Sequence, residues 1–283
     1  MNREKSFTLQ NGLALPAVGV GTYKSTTGDD NQVIHSAIQA GYRYFDTASF
    51  YQNEATVGKA LRESGLLREE YAIATKVWKD QMGYENTKKA MEDSLVALGV
   101  EYVDVYLIHW PRPDLTVENW RELDLETWRA MEEMYEQGKA KAIGVSNFLP
   151  HHLENILQHA KIKPMIDQIE FHPGYWQRET VEYCRKQDIL VQAWSPLGRQ
   201  RMFTHPLLQE LAKKYRVNEA QICIRFALEE GVMPLPKSSN PTRMGQNIDV
   251  FGFALDPQDR KRIEDMEMAG WSGEHPDKER VPV

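Results

Sequence analysis

Apolar residues along the chain alternate between short runs of strand-forming residues and longer stretches with helical spacing. Runs rich in β-branched and aromatic residues predict eight strands. These are AVGVGT (17–22), YRYFDTA (42–48), YAIATKVW (71–78), YVDVYLIHW (102–110), AKAIGVS (140–146), PMIDQIEF (164–171), ILVQAWSP (189–196) and VMPLPKS (232–238).

The stretches between these strands predict amphipathic helices. In NTKKAMEDSLVALG (86–99) an apolar stripe returns every three or four residues and the pattern ends at Gly99. Its members are Ala90, Met91, Leu95 and Leu98. In LETWRAMEEMYEQGK (125–139) the corresponding residues are Leu125, Trp128, Met131 and Tyr135.

A hairpin is predicted before the first βα unit, because SFTLQ (6–10) and LALPAVG (13–19) flank Asn11-Gly12. Eight βα units after a hairpin predict an α/β fold, a (β/α)8 TIM barrel whose bottom the hairpin closes. A doubly wound open sheet is the alternative. No Pro/Gly/Ser-rich linker divides the sequence, so one domain covering 1–283 is expected.

Composition narrows the classes of function. The 283 residues are 41% hydrophobic, enough for a substantial core, and carry a net charge of −7. Without basic runs, this charge argues against a nucleic-acid surface or an anionic membrane as partner. No apolar run approaches the roughly 18 residues of a spanning helix. The start MNREKSF lacks a signal peptide's apolar stretch, and the two cysteines, Cys184 and Cys223, fit reduced core residues. A cytoplasmic monomer is expected.

Polar side chains stand where most of the predicted strands end. Carboxyl ends of barrel strands meet on one face, where active sites of such barrels are built. The residues are Asp46, Lys76 with Trp78, His109 with Trp110, Ser146 with Asn147, Gln168 with Glu170, Trp194 with Ser195, and Lys237 with Ser238. So many polar groups at one edge predict a functional site.

Each of these residues also has a structural interpretation. Asp46 and Lys76 fit a salt bridge between adjacent strands, and His109 fits a hydrogen-bonded core histidine. Tyr51 fits a ring packed on the barrel rim. Core packing also suits the three strand-end tryptophans, Trp78, Trp110 and Trp194. Their convergence on one face favours the functional interpretation.

The residue types suit reduction of a carbonyl, which needs a proton at oxygen. Tyr51 is a candidate donor, although a free phenol has a pKa of about 10, poorly matched to neutral pH. An ammonium at Lys76 is expected to lower that pKa, and Asp46 to hold the ammonium in place. A neutral His109 can donate a hydrogen bond to the substrate oxygen.

These residues lie in motifs that resemble the aldo-keto reductase family, and in particular its bacterial branch that includes diketogluconate and glyoxal reductases. The resemblance covers nearly the whole chain. Its motifs are GTY (21–23), FDTASFY (45–51), Lys76, LIHWP (107–111), GVSNF (144–148), QIEFHP (168–173), WSPLG (194–198) and PKSSNPTR (236–243). It implies a catalytic tetrad at Asp46, Tyr51, Lys76 and His109, with Tyr51 as proton donor.

The resemblance also implies NADPH/NADP as the cofactor, although no GxGxxG fingerprint follows a strand. Ser146, Asn147 and Gln168 match the partners of the nicotinamide carboxamide. Trp194 matches the stacking aromatic residue, where many relatives carry Tyr. The remaining implied contacts are Gly21, Thr22, Tyr23 and Asp46, the pyrophosphate loop Ser195, Pro196, Leu197 and Gly198, the phosphate corner Lys237, Ser238, Ser239 and Arg243, and Gln246 and Asn247 near the adenine.

Two independent features of residues 237–243 favour the 2′-phosphate of NADPH. Pro241 suits the first turn of a helix, whose free N–H groups attract anions. Arg243 adds a forked donor set that matches phosphate. The alternative is a solvated basic corner.

The substrate is expected to be a small carbonyl compound held by Tyr23, Phe50, Tyr51, Trp78, His109 and Trp110. Rim cations would draw in anionic or polyhydroxylated carbonyls, unless they are solvated or serve the cofactor's phosphates. These cations are Lys24, Lys79, Arg112, Arg199 and Arg201. The short polar tail after residue 266 predicts a mouth that is open on that side.

Two other functions compete with reduction. One is a non-catalytic NADP(H)-binding regulatory subunit of the same fold, although such subunits typically carry a long N-terminal extension. The other is a metal-dependent barrel hydrolase using His151, His152 and His159, but no HExxH spacing is present, so no metal is expected. NADPH turnover with a simple aldehyde, insensitive to chelators, separates the three.

Overall fold

Strands and helices alternate as predicted in the described residues, 6–26 and 31–282 of a computed structural model. The start MNREKSF was predicted not to be a signal peptide, and its residues 1–5 lie outside the part of the chain that the structure describes. The strands are β1 (Ser6–Thr8), β2 (Ala14–Pro16), β3 (Val20–Gly21), β4 (Tyr44–Asp46), β5 (Ala72–Val77), β6 (Val103–Ile108), β7 (Ala140–Ser146), β8 (Ile166–Glu170), β9 (Leu190–Trp194) and β10 (Met233–Pro234). The helices are α1 (Gln32–Gln39), α2 (Glu54–Glu63), α3 (Tyr84–Leu98), α4 (Trp120–Glu136), α5 (Pro150–Leu157), α6 (Arg178–Lys186), α7 (Pro206–Tyr215), α8 (Glu219–Glu229), α9 (Pro241–Ile248) and α10 (Pro257–Glu264).

Strands β3 to β10 form one parallel sheet in strict chain order. Its two edges meet, because Gly19 N donates to Pro234 O at 3.1 Å and Gly21 N donates to Pro236 O at 3.2 Å. A doubly wound sheet would instead reverse its strand order at a switch point. The (β/α)8 barrel prediction is confirmed.

The seam of the barrel depends on a glycine. A Cβ at Gly19 would lie 2.5 Å from Tyr44 Cδ1 and 2.6 Å from Leu235 Cδ2. Those distances are far inside van der Waals contact, so only glycine lets β3 approach β10 closely enough to bond.

The hairpin of β1 and β2 lies across the bottom of the barrel. Leu9 and Leu15 are buried in the same apolar cluster as barrel-interior residues such as Val105 and Leu107. Gln10 Nε2 donates to Pro164 O at 2.9 Å, and Asn11 Nδ2 donates to Lys141 O at 2.8 Å. The predicted hairpin plug is therefore present.

A larger apolar cluster fills the layer between the barrel and its helices. The predicted stripe of α3 is fully buried, and Gly99 ends that helix in the left-handed conformation at φ 66°. Helix α4 begins earlier than its predicted stripe, and of that stripe Trp128 and Met131 are buried.

Cys184 and Cys223 are free and buried. Within the described part of the chain, no helix combines the length and apolarity needed to cross a bilayer.

Candidate active site

Three of the four predicted key residues lie on the carboxyl ends of adjacent strands. Asp46 ends β4, Lys76 lies near the end of β5 and His109 directly follows β6. Tyr51 ends a 3₁₀ turn after β4, and this turn lies against β5, with Ser49 Oγ 3.1 Å from Lys76 O. The sequence therefore brings all four side chains to one place, as predicted.

The centre of the site is a buried ion pair. Lys76 Nζ donates to both carboxylate oxygens of Asp46, at 2.7 and 2.8 Å, and to Thr47 O at 2.9 Å. Tyr51 Oη is the fourth neighbour, at 3.5 Å. Lys76 is completely buried, and burial lowers the pKa of its amine while the Asp46 carboxylate opposes the fall. Three oxygen acceptors hold it as an ammonium.

The sequence predicted a lowered pKa for Tyr51, and this prediction is wrong. Burial raises the pKa of this phenol well above its usual value, and the charge of Asp46 raises it further. These two effects outweigh the ammonium of Lys76, which lies 3.5 Å from the phenol oxygen. Tyr51 is therefore protonated at neutral pH, which is the form that can donate.

His109 is a neutral imidazole in this site. Burial lowers its pKa well below the usual value, and the charges of Lys76 and Lys79 lower it further. Neither ring nitrogen has a hydrogen-bond partner among the described residues, and Nδ1 is fully buried. The ring meets Trp78 edge-on at 4.8 Å between centroids and Tyr51 at 5.7 Å. Aromatic packing thus holds the ring, and its nitrogens are left available for hydrogen bonds with a ligand.

Aromatic rings form the walls around these groups. Phe50 and Trp78 stack at 3.8 Å, and Tyr23 lies 4.9 Å from Tyr51. Tyr23 is 43% exposed and Phe50 45%, so two large apolar rings face solvent at the barrel mouth. Trp110 is partly buried beside them, under the ammonium of Lys79. These are four of the residues predicted to hold a substrate, and they lie close to Tyr51 and His109.

Residues at the ends of β7, β8 and β9 form a second polar group. Trp194 Nε1 donates to Asn147 Oδ1 at 2.8 Å, which fixes the plane of a partly exposed indole. Ser146 Oγ donates to Gln168 O at 2.7 Å. Asn147 and Ser195 have left-handed backbones, at φ 64° and 49°. Such conformations are strained for residues other than glycine and are characteristic of ligand sites.

The hydrogen-bond acceptors of this group that have no partner suit a carboxamide. Asn147 Nδ2 spends its two N–H donors on His109 O and Ser146 Oγ, and Gln168 Nε2 donates to Asp46 Oδ1 and Gln192 Oε1. Both amide oxygens keep a free lone pair, so the vacant positions are acceptors. The NH₂ of a nicotinamide carboxamide is a matching double donor, and the group therefore fits this part of the site.

Sequence reasoning missed the support behind these residues. Gln192 joins Gln168 to Tyr44, because its Nε2 donates to Tyr44 Oη at 2.9 Å. Asn53 joins two other strand ends, accepting from Thr47 Oγ1 at 2.6 Å and donating to Thr22 O at 3.0 Å. Gln192 lies inside a strand and Asn53 before a helix, so neither had a distinctive sequence pattern.

The predicted phosphate corner lies after β10, at the start of α9. Asn240 caps the helix by accepting from Arg243 N at 3.0 Å, and Pro241 is its first residue. Lys237 and Arg243 are exposed, with no ion pair among the described residues. Ser238 Oγ lies in the turn, accepting from Asn240 N at 3.1 Å. Gln246 is exposed on α9, whereas Asn247 is only 3% exposed and belongs to its buried side.

The loop after β9 has an unusual run of conformations. Gly198, Arg199 and Gln200 all have positive φ, at 53°, 53° and 69°. A Cβ at Gly198 would lie 2.7 Å from Met202 Cγ, so this position requires glycine. Arg199 lies over the Trp194 ring at 5.9 Å. The predicted pyrophosphate loop therefore borders the indole.

The tail, whose short polar sequence led to the prediction of an open mouth, is bound to the barrel by side-chain contacts. Ser272 donates its N–H and its hydroxyl to the Glu170 carboxylate, at 2.9 and 2.6 Å. Asp277 accepts from Arg112 Nη2 at 2.6 Å and contacts His152 Nε2 at 3.1 Å. The segment 270–282 is thus bound to the end of β8, to helix α5 and to the loop after β6.

The same segment changes the expectation for the rim cations. Arg112 is bound to Asp277, Arg199 lies 4.0 Å from Glu274, and Arg201 donates to Trp271 O. Lys24 and Lys79 lie instead over aromatic rings. Three of the five cations therefore bind the tail. The charges of these three are not free to attract anionic substrates.

Two of the three histidines of the hydrolase alternative meet at Asp277. His151 and His152 lie 3.2 and 3.1 Å from its two oxygens, whereas His159 bonds to Asn155 O. Leu149 N donates to His152 Nδ1, so the ring proton is on Nε2 and points to Asp277. With Arg112 on the same carboxylate, this arrangement is a hydrogen-bonded anchor for the tail.

The anchor should make stability depend on pH. Burial lowers the pKa of His152 to about 3, against 6.5 for a free imidazole. Below pH 6.5 His152 therefore binds a proton in the unfolded chain but not in the folded chain. The free energy of unfolding then decreases as pH falls toward 3. His152→Gln should flatten this loss, by at most about 1.4 kcal/mol per pH unit.

Urea unfolding at several pH values measures the effect. His159→Gln removes an exposed histidine of the same region and should follow the wild type. Parallel pH profiles for the wild type and His152→Gln would show that His152 does not titrate between the two states.

Comparison with known proteins agrees with the fold. Residues 17–267 match the aldo/keto reductase family. The chain is 42% identical over 270 residues to a glyoxal reductase of Bacillus subtilis, covering 95% of each protein. It is 37% identical over 271 residues to methylglyoxal reductase DkgA of Escherichia coli, covering 95% of this chain and 96% of the relative. A Bombyx mori aldo-keto reductase solved with NADP superimposes with a TM-score of 0.85 at 33% identity, covering 98% and 95% of the two chains.

A parallel barrel with these groups at its mouth defines an NAD(P)-dependent oxidoreductase. The chain belongs to the aldo/keto reductase family. The predicted resemblance is thereby confirmed, and relatives named as glyoxal and methylglyoxal reductases support its assignment as an oxidoreductase.

Proposed function

We propose that this protein reduces small aldehydes and ketones to alcohols with NADPH. The observation that carries the proposal is the protonated Tyr51, set 3.5 Å from a buried ammonium and beside a neutral His109. The aromatic opening above them suits a small carbonyl compound. The reductase names of the relatives support the same reaction.

The roles of the four residues follow from their geometry. When bound, the dinucleotide supplies a hydride to the carbonyl carbon. His109 orients the carbonyl oxygen by donating a hydrogen bond, and Tyr51 Oη gives that oxygen its proton. The ammonium of Lys76 then stabilises the phenolate left on Tyr51, and Asp46 keeps the ammonium in place.

The contacts of the cofactor remain part of the proposal. The amide oxygens of Asn147 and Gln168, with Ser146 Oγ, would hold the carboxamide, and Trp194 would stack on the ring. Further predicted contacts are Gly21 at the end of β3, Thr22 and Tyr23 directly after it, and Asp46 at the end of β4. Residues 195–198 would border the pyrophosphate, and exposed Gln246 suits the adenine better than buried Asn247.

The preference for NADPH rests on the corner at α9. Lys237 and Arg243 have no ion-pair partner in the described part of the chain and lie beside a helix N-terminus, and Ser238 and Ser239 lie between them. Charge-assisted hydrogen bonds are worth roughly 1.5–3 kcal/mol each, so two give a preference for NADPH of at least ~10²-fold.

The wild type should therefore oxidise NADPH with methylglyoxal, and Arg243→Ala should raise KM for NADPH at least ~10-fold while leaving that for NADH nearly unchanged. Steady-state kinetics with both cofactors measures this. Arg129→Ala removes an exposed arginine on α4 and is the matched control. Equal use of the two cofactors by the wild type would contradict the phosphate site, and no turnover with either would contradict the reaction.

Three further properties stay predictions. They are a single domain covering 1–283, a monomeric state and a cytoplasmic location. Sedimentation of the purified protein measures the second directly.

A further inference from the structure

Lys79 stands out among the cations of the mouth because it is half-buried and, within the described residues, has no ion-pair partner. Its ammonium lies 5.0 Å from the Trp110 ring centroid and 5.8 Å from that of Trp78. No carboxylate of the described chain lies within 4.0 Å of it, although Glu274 and Asp114 face it from farther away. A cation in this position is only partly hydrated and has no protein anion bound to it.

The position of Lys79 is set by the backbone. It begins the 3₁₀ turn Lys79–Gln81 directly after β5, and Gln81 Oε1 accepts from Trp78 N at 3.0 Å. Ser49 Oγ donates to the same oxygen at 2.7 Å, which joins this turn to the one that carries Tyr51. The start of the Lys79 side chain is thus held in a fixed relation to the reacting end of the site.

The charge of Lys79 also reaches that end. It is one of the causes that lower the pKa of His109. The ring of Trp78 contacts both His109, at 4.8 Å, and the ammonium of Lys79. A substrate whose carbonyl oxygen lies at His109 and whose body lies along Trp78 therefore extends toward Lys79.

We propose that Lys79 is a specificity-determining residue that binds the carboxylate of a short oxo acid, a substrate whose anionic group lies a few bonds from the reacting carbonyl. The two indole faces pack on the ammonium and leave its donors for a ligand. Arg112, Arg199 and Arg201 do not serve this role, because they bind the tail. The inference rests on the proposed reductase function and adds the substrate class.

The test compares succinic semialdehyde with its neutral methyl ester, using NADPH oxidation by the full chain. Lys79→Met should lower kcat/KM for the acid by about ten- to hundredfold and change that for the ester by no more than about twofold, as loss of one charged hydrogen bond predicts. Lys79→Arg should retain most of the discrimination, since it keeps the charge.

Two other lysines separate a subsite from a general field. Lys59→Met removes the same charge from the outer surface of α2 and should leave both substrates unaffected. Lys24→Met removes another rim cation, one that lies 5.2 Å from the Tyr23 ring, and should affect acid and ester alike. If it weakened the acid as selectively as Lys79→Met does, a diffuse field would explain the preference and the subsite would be rejected.

Equal losses for acid and ester in Lys79→Met would overturn the proposal while leaving the reductase function intact. Failure of the wild type to oxidise NADPH with either compound would instead contradict the proposed function itself.

Discussion

Tyr51→Phe is expected to lower kcat for carbonyl reduction by ~10²–10⁴-fold, the usual worth of a positioned general acid. The substitution removes only the hydroxyl that lies 3.5 Å from Lys76 Nζ. The ring keeps its contacts with Tyr23 and His109, so binding of NADPH should be unchanged. Steady-state rates and fluorescence titration of the cofactor measure the two effects separately.

The pH profile gives a second measurement of the same residue. Because burial and Asp46 raise the pKa of Tyr51, the phenol should stay protonated throughout the neutral and mildly alkaline range. The wild-type rate should therefore show no fall from Tyr51 ionisation below about pH 10. Tyr183→Phe, a remote phenol on α6, is the control for losing a hydroxyl. A Tyr51→Phe enzyme with near wild-type kcat would remove Tyr51 from the reaction.

The architecture and the central residues could be predicted because they have local signatures. Each βα unit shows a change from strand-forming runs to helical spacing, and each strand end is marked by a polar residue such as Asp46, Lys76 or His109. Since parallel strands end at one face, these positions imply their own proximity. The hairpin was equally local, with its turn at Asn11-Gly12.

Contacts between distant parts of the chain had no such signature. The Arg112–Asp277 bond joins residues 165 positions apart, and the Ser272–Glu170 bond joins residues 102 apart. The tail sequence is polar and short, and this favoured the expectation of an open mouth. Composition does not reveal which residues such a tail contacts. The pKa of Tyr51 was mistaken for a related reason: the proximity of Lys76 and its pairing with Asp46 were predictable, but the burial of the phenol was not.

Lys76→Met is expected to damage both stability and activity. Lys76 is fully buried, and its loss leaves the Asp46 carboxylate with Gln168 Nε2 as its remaining side-chain donor among the described residues. Breaking a buried ion pair by removing one partner costs about 3–5 kcal/mol, which urea unfolding should detect as a lower free energy of unfolding. The rate should fall at least as far as in Tyr51→Phe, because the phenolate loses its neighbouring positive charge.

Adding Asp46→Asn to Lys76→Met separates these two consequences. The double variant has no unpaired charge at this point, and the introduced carboxamide can still accept from Gln168 Nε2, so most of the lost free energy of unfolding should return. Activity should not return, since the ammonium beside Tyr51 is still missing. A double variant that regains both stability and turnover would assign the pair a structural role alone. One that regains stability and stays inactive places the ammonium in the reaction, because the fold around Tyr51 is then intact and only the charge is gone.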